Sequence, residues 1–232
     1  MNDTFTWLIG LHIPSSLLPF GLVIILDLIF LALLVMSLRC ADWKSFVRDT
    51  QKQHVLFAAM VILLLIWGLK AGISPGLGFH HLGATIFTLM FGWPFAIISL
   101  SLVLAISLGV QDPDWLSLGV NGIFSIAVPV LVSHSILRLS EKRLPDNFFI
   151  YIFVVAFFGA AIAVVCSRLS ATLLLYAANV YPDATLINES IRYLPLFMFP
   201  EAFVTGMLMS VFVVYRPEWV ATFDDERYIK GK

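Results

Sequence analysis

The chain has 232 residues, a formal net charge of −1, 60% apolar residues and 12% charged ones. Soluble domains carry about 25% charged and roughly 45–50% apolar residues, so a water-surrounded globule is excluded, and the near-neutral balance offers no basic face for nucleic acid. The two cysteines, Cys40 and Cys166, cannot build a disulfide framework and read as inert thiols.

The apolar residues come in long blocks rather than at a period of 2 or 3.6, the mark of lipid-embedded helices. The reading is therefore an all-α, polytopic membrane bundle forming a single domain over 1–232, with the bilayer as its solvent. The start, MNDTFTWLIGLHIPSS, lacks the basic stretch and small-residue cleavage site of a secretory signal. Residues 1–16 are expected as an extracytoplasmic segment, and the first span is expected to remain in the mature chain. A hydrocarbon core about 30 Å thick needs roughly 20 helical residues, which 17–38, 54–72, 118–138, 148–168 and 194–215 supply. The stretch 80–110 is too long for one ordinary span and is interrupted by Gly92, Trp93 and Pro94.

Basic residues arbitrate. Short cytoplasmic loops are enriched in Lys and Arg, and such residues gather at Arg39, Lys44, Arg48 and Lys52, at Arg138, Lys142 and Arg143, and from Arg216 to Lys232. These three segments share a side only if 80–110 crosses twice or enters and returns. Seven hydrophobic helices are thus expected, N-terminus out and C-terminus in, the third and fourth forming a short broken hairpin at the centre. The polar tail 216–232 is expected at the cytoplasmic membrane surface.

Ionisable groups within spans cost roughly 2.5–3.5 kcal/mol on insertion scales and are functional candidates by default. Here they are Asp27, Glu201, Arg168 and Lys70, with the alternatives that Asp27 or Glu201 pairs with Arg168 and that Lys70 snorkels to the interface. Histidine is the sharper signal, because neutral imidazole ligates nickel, cobalt, copper and zinc. His80 and His81 follow the Gly-rich SPGLGF, and His12 precedes Pro14; all three fall at the outer face of the expected topology, while His54 and His134 fall at the other. Neighbours on a helix point about 100° apart, so one of His80 and His81 is the ligand candidate and the other a packing residue. No HExxH, Gly-x-Ser-x-Gly or GxxxxGK[ST] pattern occurs, so no enzyme is expected, and pumping would need a separate ATPase.

The segment GLGFHHLGATIFTLMFGWPFAII at 76–98 resembles the substrate-capturing membrane subunits of cobalt and nickel energy-coupling-factor transporters. Those carry a Gly-rich turn, a His-Leu-Leu-Gly-Ala helix start and a Gly-Pro-Trp break. His80, Gly83 and Ala84 match the start, and Gly92-Trp93-Pro94 matches the break with two residues exchanged. LGVNGIFSIAVP at 118–129 and PEAFVTGMLMSVFVVYRPEWV at 200–220 resemble two further family segments. The resemblance implies capture of a divalent cobalt or nickel ion from outside, in partnership with ATPase subunits and a coupling membrane subunit. In the family the ion is held by an N-terminal Met-His-Ile-Pro and by the histidine matching His80. His12-Ile13-Pro14 resembles that triplet, but eleven residues precede it, so with Met1 as the start no free amine adjoins His12. A partner-facing stripe of small residues, Ala156, Gly159, Ala160 and Ala163, is weighed against internal packing, the favoured reading. Two alternatives remain: an accessory membrane subunit that has lost the ion site, and an organic-nutrient carrier with a cavity lined by Trp67, Phe79, Phe87 and Phe197.

Overall fold

A computed structural model describes residues 12–68, 74, 76–77, 83–111, 113–224 and 228. After a 3-10 turn at Ser15–Leu17, helix α1 spans Phe20–Cys40 and buries only Val23, Leu26, Phe30 and Ser37. Its other apolar side chains, Leu28 and Leu31 among them, are exposed. A helix apolar all round is stable in that state only against lipid. The basic connection that follows is ordered by two aspartate caps: Asp42 accepts from Ser45 N to start α2, Trp43–Arg48, and Asp49 accepts from Lys52 N to start α3, Thr50–Trp67. Each carboxylate satisfies an amide that a helix start leaves unpaired.

Helix α4, Ala84–Phe91, is buried along its whole length. Eight residues rise only about 12 Å, too little to cross the membrane. Gly83 and Gly92 bound it at φ 67° and 82°, a conformation costly for any residue with a Cβ. Pro94 then sits in the first turn of α5, Trp93–Gln111, where its missing N–H is not needed. The expected pair of short helices is thus one short helix and one of full length, because the break lies early in 80–110.

Helix α6, Trp115–Arg143, opens with a 3-10 turn and passes through a π-helical stretch at Gly122–Ala127; α7, Phe148–Ala177, carries another at Tyr151–Phe158. A short helix α8, Asp183–Leu186, runs into a π turn at Ile187–Ile191, and α9 spans Leu194–Tyr215. Among the described residues six helical stretches are long and apolar enough to cross a membrane. Ala156, Gly159, Ala160 and Ala163 of α7 are buried inside the bundle. Their small size serves internal packing, as favoured from the sequence.

Ring contacts fix which ends lie together. Phe95 meets Trp43 and Phe46 at 5.3 and 4.8 Å, Trp93 lies 6.3 Å from His134, and Phe148 lies 6.5 Å from Phe223. These contacts gather the three Lys- and Arg-bearing segments at one end, the basic end; residues 12–18 lie at the opposite end beside Asp114.

The segment after α9 lies at the basic end. It turns back as a strap: Ala221 N and Thr222 N donate to the carbonyls of Met90 and Leu89 at 3.0 and 3.2 Å. Helix-breaking Gly92 and Pro94 leave the last carbonyls of α4 without helical donors, and a buried carbonyl must find one. Val220, Phe223 and Tyr228 are buried with it, Phe223 stacking on Tyr228 at 5.0 Å. Cys40 and Cys166 are free thiols.

Candidate functional site

The segment before α1 is drawn into the bundle rather than lying on it. Ile13 N donates to Asn121 Oδ1 at 2.8 Å, and Asn121 Nδ2 donates back to Ile13 O at 3.1 Å and to Ser117 O at 2.8 Å. One amide side chain thereby satisfies both backbone groups of Ile13. Two residues on, Ser15 N and Oγ donate to the two carboxylate oxygens of Asp114 at 2.7 and 2.8 Å. Pro14 stiffens the link between the two anchors. Gly76, at φ 75°, approaches so closely that a Cβ there would stand 3.3 Å from the Ile13 side chain. Ile13 and Leu77 are almost fully buried together.

These anchors fix His12. Its Nε2 lies 3.4 Å from Ser107 Oγ on α5, and its ring lies 6.3 Å from that of Trp67, which is wholly buried on α3. One turn back along α3, Leu63 packs against Gly83, where a Cβ would come within 2.9 Å of its methyl group. Gly83 N also donates to Glu201 Oε1 at 2.8 Å. The same face of α3 therefore carries His12 at one turn and the start of α4 at the next. His80 and His81, the strongest sequence candidates, lie outside the described residues, as do Lys70 and Phe79; the nearest described position after the histidines is Gly83.

Two of the intramembrane ionisable candidates are held by backbone. Asp27 Oδ1 accepts from Gly119 N at 2.7 Å, where the 3-10 turn that opens α6 gives way to α-helix at Leu118 and the first α-helical amides have no helical acceptor. A Cβ at Gly119 or Gly122 would collide with Asp27 or the Phe30 ring, so α1 and α6 approach at near-backbone contact. This makes Asp27 a helix-joining residue. Glu201, buried on α9, fixes Gly83. Arg168 lies half-buried on α7. His54 and His134 sit at the basic end, away from His12. Trp67 lies against His12 and Phe87 lines a cavity between α3 and α9.

Asn121, Asp114 and Ser107 were not singled out from sequence. The available signal was an amide inside the apolar run 118–129 and an aspartate immediately ahead of it. Among the described residues no group of three or more His, Cys, Asp or Glu side chains converges. The arrangement presents one imidazole on a rigid seat, with an oxygen on Nε2. Metal-ligating histidines are oriented in this way by a partner on the other ring nitrogen.

A protein-family model, the CbiM cobalt-uptake substrate-specific transmembrane region, matches residues 12–219. The chain belongs to the CbiM family. It is accordingly a multi-pass protein of the bacterial inner membrane and a substrate-capture transport subunit of the energy-coupling-factor type, not an enzyme. The family match starts at residue 12, the histidine seated against Trp67. Among solved structures, a truncated transition metal transporter superposes with a TM-score of 0.73 at 21% identity, covering 88% of this chain and 99% of the other. A second, described as a transition metal transporter, gives 0.71 at 21% identity, covering 88% and 93%. At that identity the likeness is one of fold. No curated protein sequence matches the chain significantly.

Proposed function

We propose that this CbiM-family chain captures a divalent transition-metal ion, cobalt or nickel, between His12 and His80, with His81 as a packing neighbour. The observation that supports this most is the seat of His12, pinned through Ser107, Asn121 and Asp114 although 95 to 108 residues separate the partners. Ser107 stands on Nε2, so His12 turns Nδ1 toward the ion. Wholly buried Trp67 keeps water from one side, which strengthens a metal–nitrogen bond against exchange with solvent. Chemical class follows from the ligands: imidazole nitrogen suits nickel and cobalt and disfavours magnesium or calcium, which take oxygen.

The proposed orientation places the His12 end outside and the basic end in the cytoplasm, in keeping with the enrichment of Lys and Arg in cytoplasmic loops. Seven hydrophobic segments then enter the membrane, α4 among them without crossing alone. Inward release would draw on separate ATPase subunits and a coupling membrane subunit, as the family implies. Calorimetry on purified protein tests the reading. Saturable binding of nickel or cobalt, abolished in His80→Ala, is expected; no binding of either ion, or unchanged binding by His80→Ala, would refute it.

A further inference from the structure

A groove on the lipid-facing side of the bundle has neither His12 nor Trp67 in its lining. Its volume is about 490 Å³; α3 and α9 form its walls through Ala59, Ile62, Val204 and Leu208, and α4 forms its floor through Ile86 and Met90. Along α3 it extends from His54 to Ile66, about 18 Å at the helical rise. Half of a hydrocarbon core about 30 Å thick is roughly 15 Å. The groove therefore has the length of one leaflet. A single hydrocarbon chain of that length is slender enough to lie in it, and the walls it would meet are apolar.

The basic end of the groove is not apolar. There Val55, Met90 and Trp219 are shared with a second cavity of about 120 Å³, whose walls include Asp49, Gln51, Lys52 and Glu218. The indole Nε1–H of Trp219 is buried at this junction with no acceptor among the described residues, although buried donors are nearly always paired. Arg216 lies over the same indole at 5.8 Å. An apolar slot of leaflet length thus ends in a polar pocket with an unanswered donor and charges of both signs.

We propose that groove and pocket together form one phospholipid site. An acyl chain from the leaflet at the basic end fills the groove, and a phosphate or ester oxygen accepts the Trp219 Nε1–H. Lys52 faces the phosphate, and Asp49 and Glu218 favour a head group that also carries an ammonium, so a zwitterionic lipid is selected over an anionic one. The bound chain lies against α4 as far as Gly83 and buttresses the helix that follows the histidine pair.

Native mass spectrometry of the full chain, reconstituted in nanodiscs of mixed phosphatidylethanolamine and phosphatidylglycerol and released into mild detergent, tests this. The wild type is expected to retain one phosphatidylethanolamine per chain. Ala59→Trp, which fills the groove, is expected to lose it. Trp219→Phe, which removes only the N–H donor and part of the ring, is expected to retain it about tenfold more weakly. Thermal melting of each variant separates lipid loss from unfolding, and Trp219→Phe carries the test if Ala59→Trp does not fold. Equal lipid retention by wild type and Trp219→Phe, preference for phosphatidylglycerol, or a lipid-free wild type would each overturn the proposal.

Discussion

At the scale of single residues, the proposed ion site depends on anchors that are not themselves metal-binding. Asn121 satisfies the N–H and the C=O of Ile13 and so fixes the residue next to His12. Asn121→Leu keeps the branched shape of the side chain but leaves the N–H and C=O of Ile13 without their partner. Removing an outer-shell partner of a metal ligand costs about 10–100-fold in affinity, and calorimetry on Asn121→Leu should show a loss in that range with the ligand histidines intact. An affinity equal to wild type would mean that the seat of His12 is irrelevant to the ion. His12 was legible in the sequence because His-Ile-Pro is a recognisable triplet. Asn121 was not, since a lone amide in an apolar run does not reveal that it clamps a backbone 108 positions away. Asp27 illustrates the converse: an aspartate in a span draws attention, yet its bond to Gly119 N joins two helices.

At the scale of elements, the broken helix α4 and the strap depend on each other. Gly83 holds φ 67° and packs on Leu63, so Gly83→Ala meets both a backbone penalty of about 1–2 kcal/mol and a collision. A lower melting temperature is expected, measurable by differential scanning fluorimetry in detergent. The strap hangs on Thr222 Oγ1, 2.8 Å from Leu89 O and 2.7 Å from Tyr151 OH. Thr222→Val and Tyr151→Phe each remove part of this network, at a cost of about 1–3 kcal/mol where a buried partner is left unpaired. Combined, they should cost less than their sum, because each single change already breaks the shared bond. Strict additivity in melting experiments would show that the strap network is not formed. The long helices were readable from their apolar blocks, and Gly92-Trp93-Pro94 announced the break. The strap was hidden, because Ala221 and Thr222 bond through their backbone N–H groups to carbonyls more than a hundred residues away, and backbone bonds leave little trace in residue type.

At the scale of the whole molecule, the fold divides its labour between two ends. The His12 end gathers the N-terminal segment, Asp114 and Asn121; the basic end gathers the Lys- and Arg-bearing connections and the strap. Exposed Cys40, at the basic end of α1, reports orientation directly. A membrane-impermeant maleimide should label it in inverted vesicles and leave it untouched in right-side-out ones, and the opposite pattern would reverse the proposed topology. Composition made the bundle legible, since so much apolar surface has to meet lipid, and family resemblance supplied the expectation of a metal. What composition could not supply was where the N-terminal segment docks, because insertion of 12–15 between α1, α5 and α6 rests on a few polar contacts.

The central claim is that this seat delivers His12 to a transition-metal ion. Bound-metal analysis of protein purified without chelator, wild type beside His12→Ala, tests it most directly. Near-stoichiometric nickel or cobalt in the wild type, lost in His12→Ala while the melting temperature holds, is the predicted result. A metal-free wild type after incubation with either ion, or a His12→Ala variant that keeps its metal, would contradict the account.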